Sequence, residues 1–193
     1  MFVKKTMIIV VCLFTFVLVA GDIHAKSLDD ILSSSSIKGE DAKRVKDLYG
    51  SLVSFGVNED ELLLIVGHAI NSDVETNKLM RLLVLISKTA LADIPTKALI
   101  NKVLEGFAKG AVVDVVIKEA ESKVLNLKNA KSVLNHLMLK GYKTKQPDMA
   151  INVISIYLTR GWEPSGLKRE IESEGLSKKE FYELSLFLKE NNK

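Results

Sequence analysis

Apolar side chains recur at helical spacing from Glu40 onward, and no stretch of strict apolar and polar alternation is long enough to indicate a strand. The clearest helix spans residues 95–110, where Pro95 suits a helix start and Gly110 suits the position just past a helix end. Apolar residues line one face of this helix, and Glu105 and Lys109 on the other face are spaced for an ion pair. The pattern predicts an all-α fold, an array or bundle of short antiparallel helices.

One apolar segment favours strand by composition and helix by spacing. Residues 112–117 are rich in valine and isoleucine, which fit strands well. However, Val113, Ile117, Ala120 and Val124 keep helical spacing. We therefore predict a helix here.

Three glycines divide the helical region at similar intervals. Gly56, Gly110 and Gly161 each follow an apolar helical stretch, at intervals of 54 (110 minus 56) and 51 (161 minus 110) residues. We interpret this spacing as three degenerate three-helix units, 41–91, 95–146 and 147–193, stacked as in an α-solenoid. The alternative is a compact bundle in which the glycine spacing is coincidental.

The N-terminal residues have the order of a secretory signal peptide. Lys4 and Lys5 precede an apolar run that is too short to cross a bilayer comfortably, and small residues follow it. We predict a signal peptide over residues 1–25 cleaved after Ala25, with Ala20 or Gly21 as alternative ends. Residues 26–39 include four consecutive serines and predict a flexible tether, so that a single helical domain spans 40–193.

Composition limits the kinds of partner that we expect the protein to bind and the compartments in which we expect to find it. The net charge of +3 is too small to indicate binding of nucleic acid, and Cys12, the one cysteine, lies within the predicted signal peptide. No cysteine follows the apolar run to carry a lipid. We expect a soluble, unlipidated, exported protein of the periplasm or the extracellular space, in contact with a membrane only if the signal peptide stays uncleaved.

Residues 95–120 carry a resemblance to a known group of proteins. This leucine-rich helix ends in the turn Gly106-Phe107-Ala108-Lys109-Gly110. The segment resembles an uncharacterised family of exported bacterial all-helical proteins, although Ala111 stands where that family tends to have proline. The resemblance implies helices and no particular activity.

The sequence contains no recognisable catalytic constellation. His68 and His136 are on different predicted helices without suitably spaced ligands, and phosphate-binding and nucleophile motifs are missing from the sequence. The acidic groups at 59–61 and 170–174 are typical of a helix start and a solvated face. We predict no catalytic, metal or cofactor residues, and an uncharacterised hydrolase is the least favoured alternative.

The best candidate surface is a cluster of rings and cations near the third glycine. Such a cluster could stack on a sugar or hold an anionic polymer, although a ring just past a helix end commonly packs on that helix. The cluster consists of Tyr142, Tyr157, Trp162, Lys143, Arg160 and Arg169.

Two stretches, 82–86 and 112–117, are more apolar than a surface helix needs. Central helices would explain them, and so would a groove open to a partner helix or a lipid. We expect a non-enzymatic structural or interaction protein of the cell envelope, with another envelope protein as partner. The alternative is a carrier that binds an apolar small molecule or lipid between helices.

Overall fold

A computed structural model describes residues 27–173, and these form eight helices and no β-strand. The predicted all-α fold is confirmed. The predicted signal peptide and the final segment beyond Ser173 lie outside the described residues. The helices are α1 Leu28–Ser33, α2 Gly39–Ser54, α3 Glu59–Asn71, α4 Thr76–Leu91, α5 Thr96–Ala108, α6 Val113–Leu139, α7 Pro147–Thr159 and α8 Pro164–Ser173.

Six helix ends share one backbone geometry. The residue after each C-cap has a positive φ, between 50° and 99°, and the following N–H bonds to the carbonyl five residues earlier. This is the Schellman arrangement, in which a left-handed residue closes the helix and the next side chain packs back. The left-handed positions are Gly56, Asp73, Asp93, Gly110, Gly141 and Gly161, and the residues that follow them are Val57, Val74, Ile94, Ala111, Tyr142 and Trp162.

Helices α4 and α6 pack side by side and run parallel, and so do α3 and α5. Lys78 binds Asp114 at the start of α4 and α6, with 2.9 Å between Nζ and Oδ2. At the other end, Lys131 of α6 donates to the carbonyl oxygen of Ala92 at 2.8 Å. A comparable ion pair joins α3 and α5, where Nζ of Lys97 lies 3.5 Å from Oε1 of Glu61.

These contacts define two layers. One layer contains α2, α4, α6 and α8 in that order, and the other contains α1, α3 and α5, with α7 packed on α6. The core between the layers is continuous, and its fully buried members include Leu62, Leu82, Leu99, Leu127 and Ile154. Helix α6 lies at the centre, because it contacts α4, α5, α7 and α8.

The segment predicted as a flexible tether is part of the packed structure. Ser27 and Asp30 form a capping box that starts α1. Leu32 and Ile37 are buried, and α1 packs on α3. The serine-rich composition suggested a tether, but two buried apolar side chains and a good cap are sufficient to dock a short helix.

The helix count between Gly110 and Gln146 differs from the three-helix interpretation. A unit over 95–146 needs three helices, but the structure has α5 and then α6, a single helix of 27 residues. The β-branched residues predicted as helix begin this long helix. The spacing that the structure shows runs instead from 39 to 76 and from 76 to 113, which is 37 residues between the starts of α2, α4 and α6.

Candidate functional site

The predicted ring and cation cluster is only partly a surface. Tyr157 is buried on α7, and Tyr142 and Trp162 are partly buried against the core as the apolar residues of their helix ends. The pKa of Tyr142 is raised above its ordinary value, mainly because the side chain is partly buried. Lys143 and Arg169 are exposed. The rings therefore contribute mainly to packing.

One pair from that cluster is in contact. The Arg160 guanidinium lies over the Tyr157 ring, 5.8 Å from its centroid. This geometry is that of a cation–π pair. The pair places Arg160 at the edge of a cleft that is described below.

The two strongly apolar stretches have different surroundings. Leu82, Leu83, Leu85 and Ile86 are buried, so most of this stretch of α4 belongs to the core, and Val84 is 36% exposed. In the second stretch Val112 and Val115 are exposed by 68% and 51%, while Val116 and Ile117 are buried.

The two histidines within the described residues contact different partners. His68 stacks on Phe107, with ring centroids 5.8 Å apart and planes 11° apart. His136 lies 2.7 Å from a carboxylate oxygen of Glu172, which spacing along a single helix could not reveal. In residues 27–173 no group of three or more histidine, cysteine or acidic side chains could hold a metal ion.

A broad basic cleft lies over α6, between the end of α4 and α8. We call it the α4–α8 cleft, and it has a volume of about 560 Å³. Lys131 is already engaged there, because its Nζ donates to two carbonyl oxygens and a carboxylate at the end of α4. The lining residues are Ala92, Ile94, Lys128, Lys131, Ser132, Asn135, His136, Leu139 and Lys168.

A second cleft lies between α5 and α7, with α6 as its floor. We call it the α5–α7 cleft, and it has a volume of about 340 Å³. Its walls combine amide, hydroxyl, charged and aliphatic groups. The lining residues are Ala98, Asn101, Lys102, Glu105, Glu119, Ser122, Lys123, Asn126, Ile156, Thr159 and Arg160.

Both carboxylates of the α5–α7 cleft have cationic neighbours. Nζ of Lys102 lies 3.5 Å from Oε2 of Glu119 and 3.8 Å from Oε2 of Glu105. Glu105 also binds Lys109, as the sequence spacing predicted, and these two lysines lower the pKa of its carboxyl group. The hydrogen bond from Lys109 lowers the pKa of Glu105 more than the charge of Lys102 does.

Lys123 stands apart from these ion pairs. Its ammonium group donates to the hydroxyl of Ser155, a fully buried residue, at 3.0 Å. Within residues 27–173 it forms no salt bridge with a carboxylate. Burial, followed by the nearby charge of Lys102, lowers the pKa of Lys123. A desolvated cation without an opposite charge is unfavourable in a folded protein.

Further polar groups lie on α6 and α7. Asn126 donates from Nδ2 to the Thr159 hydroxyl at 3.0 Å. Asn152 lies one helical turn before Ile156, and its buried Oδ1 has no hydrogen-bond partner among the described residues. Unsatisfied buried acceptors are uncommon in proteins.

Sequence reasoning did not single out Lys123, although a signal was present. Ala120, Val124 and Leu127 lie on the buried face of α6, and Lys123 falls at the same helical spacing between them. A lysine at such a position keeps a charged group on a helix face that otherwise packs into the core. That signal could have located this cleft.

No helix within residues 27–173 is both long enough and apolar enough to span a bilayer. Comparison with protein-family models, curated proteins and solved structures finds no match for this chain.

Proposed function

We propose that this protein is a non-enzymatic interaction protein that binds a segment of another polypeptide in the α5–α7 cleft. The observation that carries this proposal is the interruption of one layer. Helix α5 packs directly on α3, but α7 packs on α6 and leaves the cleft between itself and α5.

The chemistry of the cleft suits a polypeptide. Asn101 and Asn126 have side-chain amides, which can both donate to and accept from a peptide backbone. Ile156 is 46% exposed and offers an apolar contact beside them. Polypeptide recognition generally combines such polar groups with a few apolar anchors.

The architecture supports the same proposal. We propose that α2 with α3, α4 with α5, and α6 with α7 are tandem two-helix units. The recurring helix ends, the parallel packing of alternate helices and the 37-residue spacing support this assignment. Stacked helical units present extended surfaces and commonly act as binding scaffolds.

The proposed location follows from the sequence. The signal-peptide pattern at residues 1–25 favours export to the periplasm or beyond, so the proposed partner is another protein of the cell envelope. A carrier for an apolar ligand has less support, because four of the five side chains over 82–86 are buried and nine of the eleven residues that line the α5–α7 cleft have polar or charged side chains.

Selection from a library of random peptides displayed on phage tests the proposal, with the full chain as bait. Fluorescence polarisation then gives the affinity of each enriched peptide for wild type and two variants. Ile156→Asp introduces a charge into the cleft. Leu64→Asp is the matched control, because Leu64 lies mid-helix on α3, is 52% exposed and does not line the cleft.

We expect enriched peptides that bind Ile156→Asp about tenfold more weakly than wild type, as for a central apolar anchor. Binding to Leu64→Asp should change by less than about twofold. Circular dichroism checks that both variants are folded. A library that yields no enriched peptide, or peptides that bind Ile156→Asp as tightly as wild type, would overturn the proposal.

A further inference from the structure

We propose that the α5–α7 cleft selects a carboxylate on its bound polypeptide, an acidic side chain or a chain terminus, which is held by Lys123 and Arg160. This inference rests on the proposed function, since it names the chemistry of the partner at the same site.

The charges that line the cleft support a negatively charged ligand. Glu105 and Glu119 are both bound by Lys102, and Glu105 also by Lys109. Lys123 and Arg160 remain as cations with no carboxylate partner within the described residues. A ligand carboxylate would supply the opposite charge that the two lack.

Lys123 is the stronger of the two contacts because it is partly withdrawn from water. An ion pair gains more where solvent is displaced than at a fully exposed position. Burial lowers the pKa of Lys123, so the charged ammonium is held in an environment that disfavours it. A ligand carboxylate in the cleft would favour the charged ammonium form of Lys123 over the neutral amine.

The α4–α8 cleft has more lysines but a weaker case. Lys131 there is committed to the end of α4, and His136 to Glu172. Lys128 is exposed and therefore stays well hydrated. This cleft supplies a comparison position on the same helix.

The experiment uses the peptides enriched on the full chain, each synthesised with its carboxylates and with amides in their place. Affinities are measured by fluorescence polarisation for wild type, Lys123→Gln, Arg160→Gln and Lys128→Gln. Arg160 is exposed, so Arg160→Gln should fold even if Lys123→Gln does not. Lys128→Gln removes an equal charge from the other cleft.

We expect wild type to bind the amide peptides about tenfold more weakly than the carboxylate forms, as for a charge-assisted hydrogen bond. In Lys123→Gln the preference for carboxylate peptides over amide peptides should fall below about twofold. In Arg160→Gln the same preference should lie between that of Lys123→Gln and that of wild type. In Lys128→Gln it should persist in full, and raising the salt concentration should reduce it in wild type.

Enriched peptides that bind equally as carboxylates and amides would overturn the inference and leave peptide binding intact. A preference lost in Lys128→Gln and kept in Lys123→Gln would place the anion in the other cleft, which also overturns it. Failure to enrich any peptide would overturn the proposed function and this inference together.

Discussion

The region from α2 to α5 and the region of α6 and α7 are built from similar helices but differ in one respect. In the first region 16-residue helices alternate with 13-residue helices, joined by four-residue connections. In the second region α6 has 27 residues, and residues 140–146 connect it to a 13-residue α7. The α5–α7 cleft lies where the regular region meets the irregular one.

The extra length of α6 explains how one layer opens while the core stays continuous. Helix α6 exceeds α4 by 11 residues (27 minus 16), which is close to three helical turns. Whole turns keep the buried face of α6 pointing at the core. They also move α7 along α6 by about 16 Å, at 1.5 Å per residue, so α7 no longer packs squarely on α5.

The largest expected effect tests whether α6 joins the two regions into one cooperative unit. Leu127→Ala should lower the free energy of unfolding by about 3 kcal/mol, because it leaves a cavity in a fully buried site. Far-ultraviolet circular dichroism and Trp162 fluorescence should report one coincident denaturant transition. The control is Leu125→Ala, at a position 59% exposed, with a change below about 0.5 kcal/mol. Separate transitions would show two independent regions.

The next effect tests whether a helix end closed by glycine is equivalent to one closed by aspartate. Gly110→Ala should lower the free energy of unfolding by about 1.5 kcal/mol, because alanine is strained at a φ of 67°. Asp73 has a φ of 52° at the same place in an earlier connection, so Asp73→Gly should raise that free energy by about 0.5 kcal/mol. Denaturant titration measures both, and effects of the same sign would contradict the equivalence.

A smaller effect tests the close contact between α5 and α6 at Gly106. A Cβ at Gly106 would lie 2.9 Å from Cγ2 of Val116, and valine side chains adjust poorly. Gly106→Ala should therefore lower the free energy of unfolding by about 1 kcal/mol, despite its gain in helix propensity. Gly50→Ala, with open space around its Cβ, should raise it by a few tenths up to about 1 kcal/mol. Thermal melts of both variants check the opposite signs.

The smallest effect separates a binding lysine from a structural one. Lys123→Met should raise the free energy of unfolding by about 0.5 kcal/mol at neutral pH, because it relieves a partly buried charge. The pKa of Lys123 is lowered in the folded state, so the penalty applies while the lysine is charged and fades as pH rises through that value. The gain should therefore shrink in alkaline solution. A loss of stability at neutral pH would identify Lys123 as a structural residue.

Helical spacing was enough to predict the fold class and several helix ends. Gly56, Gly110 and Gly161 all occupy left-handed positions after helices, as their place in the sequence indicated. The spacing of the helix ends was harder to predict, because Asp73 and Asp93 occupy the same backbone geometry as those glycines. Counting only Gly56, Gly110 and Gly161 therefore passed over the helix ends at Asp73, Asp93 and Gly141, and suggested intervals near 50 residues.

The candidate site was mostly beyond sequence reasoning. The α5–α7 cleft depends on the displacement of α7 along α6, which no local pattern encodes. Arg160 was selected for a ring cluster, and in addition to its contact with Tyr157 it lines the same cleft as Lys123 and Lys102, which come from two other helices. Only the interrupted apolar stripe around Lys123 carried a local signal.

Site-specific photo-crosslinking in the cells that produce the protein tests the central claim most directly. One photoreactive residue replaces Ser122 in the α5–α7 cleft, and in a second version replaces Ser132 in the α4–α8 cleft. Both serines are exposed on α6. The account predicts a polypeptide adduct at Ser122 that Ile156→Asp abolishes, with no such adduct at Ser132. Equal adducts at both positions, or none at Ser122, would contradict it.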